Sequence, residues 1–268
     1  IFINKSRRVS GFVNKRIRVR YLDEITEVAK HSGKVFTVHQ NRRWDADFLA
    51  VKNLIDSKDI GELIHIESRV QGSHGIPGDW RQLKECGGGM MLDWGVHLID
   101  QMLQIFKQEI VRINCTTTHI TNEQVDDGFK LNLYFEDGKT AYVEVSTYNL
   151  ISLPRFYAMF EDGTAVIKGW TDDLHIAKFV QWDEKGIIPV QTAAGITKTM
   201  APRSAKTRQS YDVKQPVSDV HDFYRNYCNA LDGKEEIIVK IDEIRRVMLV
   251  IEAAFSSAQK QQTLFVNI

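Results

Sequence analysis

Gly87-Gly88-Gly89-Met90-Met91-Leu92-Asp93-Trp94-Gly95-Val96-His97-Leu98-Ile99-Asp100 is the stretch whose reading decides the fold. It reads as a helix entered through three glycines. On a helical period Asp93, His97, Asp100 and Gln104 fall on one face, and nearly everything else from Met90 to Phe106 is apolar. A helix apolar on most sides is a buried one. A narrow polar stripe on such a helix must meet a partner, a ligand or water, because unpaired buried polar groups are costly. Asp93 and His97 are therefore the first candidates for chemistry. The structural alternative is an Asp–His hydrogen bond one turn apart.

Upstream, Leu22 to His31 reads as a helix, stopped at Ser32-Gly33, and Val35-Phe36-Thr37-Val38 as a short apolar strand. A helix followed closely by such a strand suits the end of a parallel α/β unit. Asp45 to Ser57 is a second helix, and Gly61 releases the chain into a strand. From there the apolar period becomes two. Ile64 to Gln71, Val111 to Thr118 and Phe129 to Glu136 all alternate. Asp137-Gly138 and Asp162-Gly163 are hairpin turns between such runs. A further strand is expected over Ile176–Trp182, a long exposed loop with at most a short strand over Gln191–Gln215, and a helix over Ser218–Leu231. Asp242 is placed to cap a final helix. The expected fold class is α+β: a mixed, mainly antiparallel open sheet with helices on one face, preceded by a short α/β remnant.

The chain has 268 residues, a formal net charge of zero and three well-separated cysteines. Zero net charge gives no bias toward nucleic acid or anionic membrane, so neither is an expected partner. The cysteine spacing builds no zinc site and suggests a reducing, cytoplasmic setting. No apolar run reaches the length of a membrane-spanning helix. Ile1 to Arg20 is basic and free of acidic residues. It is read as the remnant of an altered upstream region rather than a targeting peptide or a nucleic-acid arm.

Asn41-Arg42-Arg43-Trp44-Asp45, Ile60-Gly61, Trp80-Arg81, the Gly87–Asp100 stretch and a late Asp242–Ala258 helix occur in that order. In order and spacing the chain resembles the glucose–fructose oxidoreductase / inositol dehydrogenase / rhizopine-catabolism (Gfo/Idh/MocA) family from about Leu22 to Val266. The resemblance implies an oxidoreductase that takes a hydride from a sugar or cyclitol hydroxyl with NAD or NADP. It also implies homo-oligomers formed through the open sheet face. In that reading His97 is the acid/base residue, and Asp93 binds a substrate hydroxyl or orients His97. Trp80 and Arg81 lie beside cofactor and substrate, and Arg43 and His74 are further substrate-side candidates. Arg43 also has a purely structural reading, as a bridge between two elements, and His74 a solvated one. The three glycines either admit a ligand to free backbone donors or form a demanding turn.

Two family features have no counterpart. No strand–GxGxxG–helix pattern precedes Leu22, and Gly87-Gly88-Gly89 lacks the spacing to replace it. The family's Glu-Lys-Pro lysine falls near Val13, in Phe12-Val13-Asn14, and its role is not carried onto Lys15. The chain therefore reads as residues 1–40, an atypical segment ending a nucleotide-binding domain, and residues 41–268, an α+β substrate and oligomerisation domain. The cofactor is NAD or NADP by resemblance, or none bound by this chain. The alternatives are a non-catalytic sugar-binding or oligomerisation module, and a metal enzyme using Asp93, His97, Asp100 and His74; no metal is expected.

Overall fold

A computed structural model describes residues 19–180 and 186–268. The basic opening stretch through residue 18, with Val13 and Lys15, lies outside them, as does Trp182.

Among the described residues, five α-helices pack with one large sheet. The helices are α1 (Val19–Ser32), α2 (Ala46–Ser57), α3 (Val96–Ile105), α4 (Asp222–Leu231) and α5 (Ile241–Lys260). The large sheet contains β1 (Leu63–Gln71), β2 (Ile110–Thr118), β3 (Gly128–Phe135), β4 (Thr140–Ser146), β5 (Phe156–Phe160), β6 (Gly163–Ile167) and β7 (Leu174–Phe179). Two more strands of it, β10 (Arg208–Val213) and β11 (Leu264–Phe265), follow a separate small hairpin of β8 (Val190–Thr192) and β9 (Gly195–Thr197). The order is β10-β7-β6-β5-β1-β4-β3-β2-β11. Every pairing is antiparallel except β1 with β4. Strand β1 therefore joins two meanders, β2–β4 on one side and β5–β7 on the other.

Alternation decides which face is buried. Ile66, Ile113, Cys115, Leu131, Leu133, Val143, Ala158 and Ile167 are almost wholly buried. On the same face α5 packs against β2 and α3 against β4, and their Leu98, Ile99, Met102, Val247, Val250 and Ile251 complete the core. Helix α1 adds to this layer: the backbone N–H of Val19 donates to Glu252 at 2.9 Å, and Arg245 pairs with Asp23 at 2.9 Å.

The outward face is polar rather than apolar. On it Arg69 pairs with Glu144 (3.1 Å) and with Glu67, and the Tyr142 hydroxyl donates to Glu144 (3.1 Å). Glu144 is nonetheless buried.

Four expectations are corrected. Val35–Val38 is not a strand: no described strand lies beside it, and Thr37 instead donates its hydroxyl to the Val239 carbonyl at 2.9 Å. Of the anticipated α/β remnant, the described residues show the helix α1. Gln191–Gln215 carries more strand than the one short strand allowed for it: besides β8 and β9, β10 pairs with β7 along its whole length, from Arg208 opposite Phe179 to Val213 opposite Leu174. Helix α4 starts at Asp222 rather than Ser218, since the Asp219 carboxylate accepts the His221 N–H at 2.9 Å and holds a turn there. Asp242 is not the cap of α5: the extended Lys240 holds that position, and Asp242 sits inside the first turn, where its charge still favours the helix dipole.

Candidate functional site

The glycines before the central helix are there for packing. Gly87 and Gly89 have φ of +74° and +103°, which side-chain-bearing residues avoid. A Cβ on Gly88 would stand 2.3 Å from the Arg81 carbonyl oxygen, and one on Gly89 2.3 Å from the Asp126 carboxylate. The tight-turn reading holds, and no open ligand cradle is left at these positions.

Asp126 anchors the helix from outside it. Its backbone carbonyl accepts the Met90 N–H (2.9 Å) and its carboxylate accepts the Met91 N–H (2.7 Å). These are two of the orphan donors at a helix start. Burial pushes the Asp126 carboxyl up to about 7, with the Met91 N–H opposing. The neighbouring Asp127 is also penalised by burial. Hydrogen bonds from the Thr118 hydroxyl and from the Thr121 N–H and hydroxyl nevertheless hold it below the usual range. Sequence reading missed Asp126; its only local signal is the acidic pair Asp126-Asp127 ahead of β3.

The helix opens with a π turn, Met91–Gly95, before α3. Gly95 is required here as well, since a Cβ would reach 2.9 Å from the Phe129 ring. Such wide turns often mark functional sites. No hydrogen bond joins Asp93 to His97. Asp93 accepts from Arg81 Nε at 2.8 Å, and Arg81 Nη1 also donates to Asp79 at 2.7 Å. His97 Nδ1 lies 2.6 Å from Gln40 Oε1, and Gln40 Nε2 lies 3.4 Å from the Val96 carbonyl oxygen. The supposed Asp–His pair is thus two separate pairs on adjacent turns. Burial pushes the His97 imidazole down to about 4, and the Arg42 charge and His39 act in the same direction. The ring is neutral at pH 7.

Aromatic rings flank the site. The Arg42 guanidinium carbon stands 3.9 Å from the centre of the Trp94 ring and the side chain is anchored by Asp45 at 2.9 Å. Trp170, from the β6–β7 connection, approaches Trp94 with centroids 5.6 Å apart and stays 45% exposed. Trp80 is similarly exposed, with the Arg81 guanidinium 4.7 Å from its ring centre.

The remaining candidates do not converge here. Arg43 is buried and spends its donors within the protein, with Nε and Nη2 on Asp100 (2.7 and 2.6 Å) and Nη1 on Glu243 (2.7 Å). It ties the 3-10 turn Asn41–Trp44 to α3 and α5, which replaces the substrate-side reading with the bridging one. His74 sits on an exposed loop. Asp100 is committed to Arg43, and among the described residues no group of three His, Cys, Asp or Glu side chains is arranged to hold a metal.

A family model described as the GFO/IDH/MocA C-terminal domain matches residues 48–166. The crystal structure of an NAD-binding protein from Listeria innocua is 41% identical with a TM-score of 0.88. The match covers 93% of this chain and 72% of that one. An uncharacterized oxidoreductase of Schizosaccharomyces pombe is 26% identical over 90% of this chain and 69% of its own length. The NADP-dependent scyllo-inositol 2-dehydrogenase of Bacillus subtilis is 24% identical over 91% of this chain and 68% of its own length.

Proposed function

The chain belongs to the Gfo/Idh/MocA family, and we propose on that footing that it carries the substrate side of an NAD(P)-dependent oxidation of a sugar or cyclitol hydroxyl. The observation that carries this reading is His97: a neutral imidazole, on a partly exposed helix face, one turn from a carboxylate–guanidinium pair. Oxidising a secondary alcohol requires a base for the hydroxyl proton while the carbinol hydrogen leaves as hydride. His97 accepts that proton. Asp93, already holding Arg81, takes a neighbouring hydroxyl into its free acceptor positions, and Arg81 orients it. The inositol dehydrogenase among the relatives makes a cyclitol the first substrate class to try.

A nicotinamide dinucleotide, when bound, supplies the hydride acceptor. By resemblance Trp80 and Arg81 face it. Residues 1–40 are read as the tail of a nucleotide-binding domain and 41–268 as the α+β domain. The assembly is read as a homo-oligomer through the outward sheet face, in a cytoplasmic setting. No helix among the described residues is long and apolar enough to cross a membrane.

The test is a panel of inositols and aldoses offered to the purified chain, with binding followed by ligand-observed NMR. Turnover is followed by the absorbance of reduced nicotinamide after adding NAD or NADP. His97→Ala should keep the fold and weaken polyol binding at least tenfold. Any turnover should fall by about 10²–10⁴, the usual worth of a general base. Binding and turnover unaffected by His97→Ala overturn the reading. Binding of a polyol that depends on His97, without turnover under any condition, favours the second reading, a non-catalytic sugar-binding module.

A further inference from the structure

We propose that Gln40 is the positioning residue of His97: its side-chain amide, oriented by the Val96 carbonyl, holds the imidazole as the Nδ1–H tautomer and leaves Nε2 as the proton-accepting atom. The inference builds on the reading of His97 as the acid/base residue, but its structural half stands without it.

Gln40 is 1% exposed, so its amide has little recourse to water. The Val96 carbonyl only accepts, so the amide end 3.4 Å from it must be the NH2 group. That fixes the other end, 2.6 Å from His97 Nδ1, as the carbonyl oxygen. An oxygen at that distance requires a proton on Nδ1. A neutral imidazole carries one N–H, so Nε2 keeps its lone pair. Turning the amide over would set two carbonyl oxygens against each other and leave the Gln40 NH2 facing Nδ1. A single buried glutamine therefore settles which ring nitrogen takes a proton.

Gln40 lies at the end of the connection 34–40, immediately before the 3-10 turn that carries Arg42 and Arg43. The Arg42 backbone carbonyl accepts from Gln101 Nε2 at 2.8 Å, and Arg43 grips Asp100. The segment is thereby pinned to α3 one turn beyond His97. The ionisable groups bearing on the ring are Arg42 and His39 from this segment. On its own helix Asp93 is engaged by Arg81, and Asp100 by Arg43. None of these bonds to the ring; Gln40 does.

The test is long-range nitrogen–proton NMR on the full chain with labelled histidine, recorded without substrate. Wild type should show a protonated Nδ1 and a lone-pair Nε2 for His97 at pH 7. Gln40→Leu, which has no acceptor, should lose that preference, with the proton moving to Nε2 in a large fraction of molecules. Gln40→Glu should keep the Nδ1 proton and raise the pH at which the ring charges by about 1–3 units, because its acceptor is an anion. In that variant the acid limb of any pH–rate profile should move with the ring. A wild-type ring protonated on Nε2 overturns the proposal, and so does a tautomer indifferent to Gln40→Leu. If Gln40→Leu does not fold, the wild-type tautomer and the Gln40→Glu titration still decide. A wild-type Nδ1–H tautomer together with undiminished turnover in His97→Ala would leave Gln40's role standing and remove the acid/base reading instead.

Discussion

Arg43 and Asp100 meet in a two-pronged ion pair, 2.7 and 2.6 Å, with both side chains almost wholly removed from solvent. The pair joins the segment holding Gln40 to the helix holding His97. Breaking one side of a buried pair leaves an uncompensated charge, which costs about 3–5 kcal/mol. Arg43→Ala should lower stability by about that amount, read as a fall in the urea midpoint, and Asp100→Ala by less, because Glu243 still pairs with Arg43. The double variant should cost less than the two single effects added together. Polyol affinity measured on the folded fraction should change little, in keeping with a bridge rather than a ligand contact.

Gly89→Ala tests the start of the helix. The substitution forces a side chain into φ +103° and into the Asp126 carboxylate. Left-handed strain alone costs about 1–3 kcal/mol, and the clash adds to it. Thermal unfolding should show a clear drop. Gly138→Ala makes a useful contrast: it has φ +84° but open space around the new Cβ, so its loss should be the strain alone.

Asp126 should imprint a pH dependence on stability. Its folded value, about 7, is raised above the ordinary 3.8. A raised value means the protonated form is favoured in the fold. The contribution is complete below pH 3.8 and is lost as pH rises through 7. While both states titrate differently, the slope is about 1.4 kcal/mol per pH unit. Denaturant unfolding of wild type and Asp126→Asn, compared between pH 4 and pH 8, should show this component as the difference in slope. Identical slopes would refute the linkage. Asn retains an oxygen for the Met91 N–H, so the anchor itself survives the exchange.

Asp93→Asn separates chemistry from stability. The Asp93–Arg81 pair is partly open to water, at 17% and 29% side-chain exposure. Pairs this exposed contribute at most about 1 kcal/mol. The variant should therefore unfold within about 1 kcal/mol of wild type while binding a cyclitol at least tenfold more weakly. Loss of stability without loss of affinity would assign Asp93 a structural duty instead.

Much of this architecture is legible from alternation alone. β1 to β6 follow the runs of period two, and Asp137-Gly138 turns where expected, with Gly138 at φ +84°. What escaped has a common cause: contacts between segments remote in the chain. β10 is a polar edge strand, Arg208-Gln209-Ser210-Tyr211-Asp212-Val213, largely exposed, and only its pairing with β7 marks it. The short apolar run at Val35 looks like a strand but finds no described sheet partner.

The same holds at the site. Asp93 and His97 were visible as a polar stripe on an apolar helix. Their partners were not, because Gln40 stands 57 residues from His97, and Asp126 stands 35 from Met91. The π turn also escaped, since the helix is apolar on most sides and a shift of its phase leaves no mark on the pattern. It is nonetheless where the expected Asp–His contact divides into two independent pairs.

The solitary parallel pairing at the middle of the sheet has a kinetic corollary. His65 finds Thr140 across 75 residues, and Leu63 is opposite Phe160 on the other flank. Each meander can zip from its own hairpins, but β1 must close long loops on both sides, and such closures slow folding. A proline in β1 would thus do more than remove a ladder bond: it would stall the union of two sheets that had each already formed.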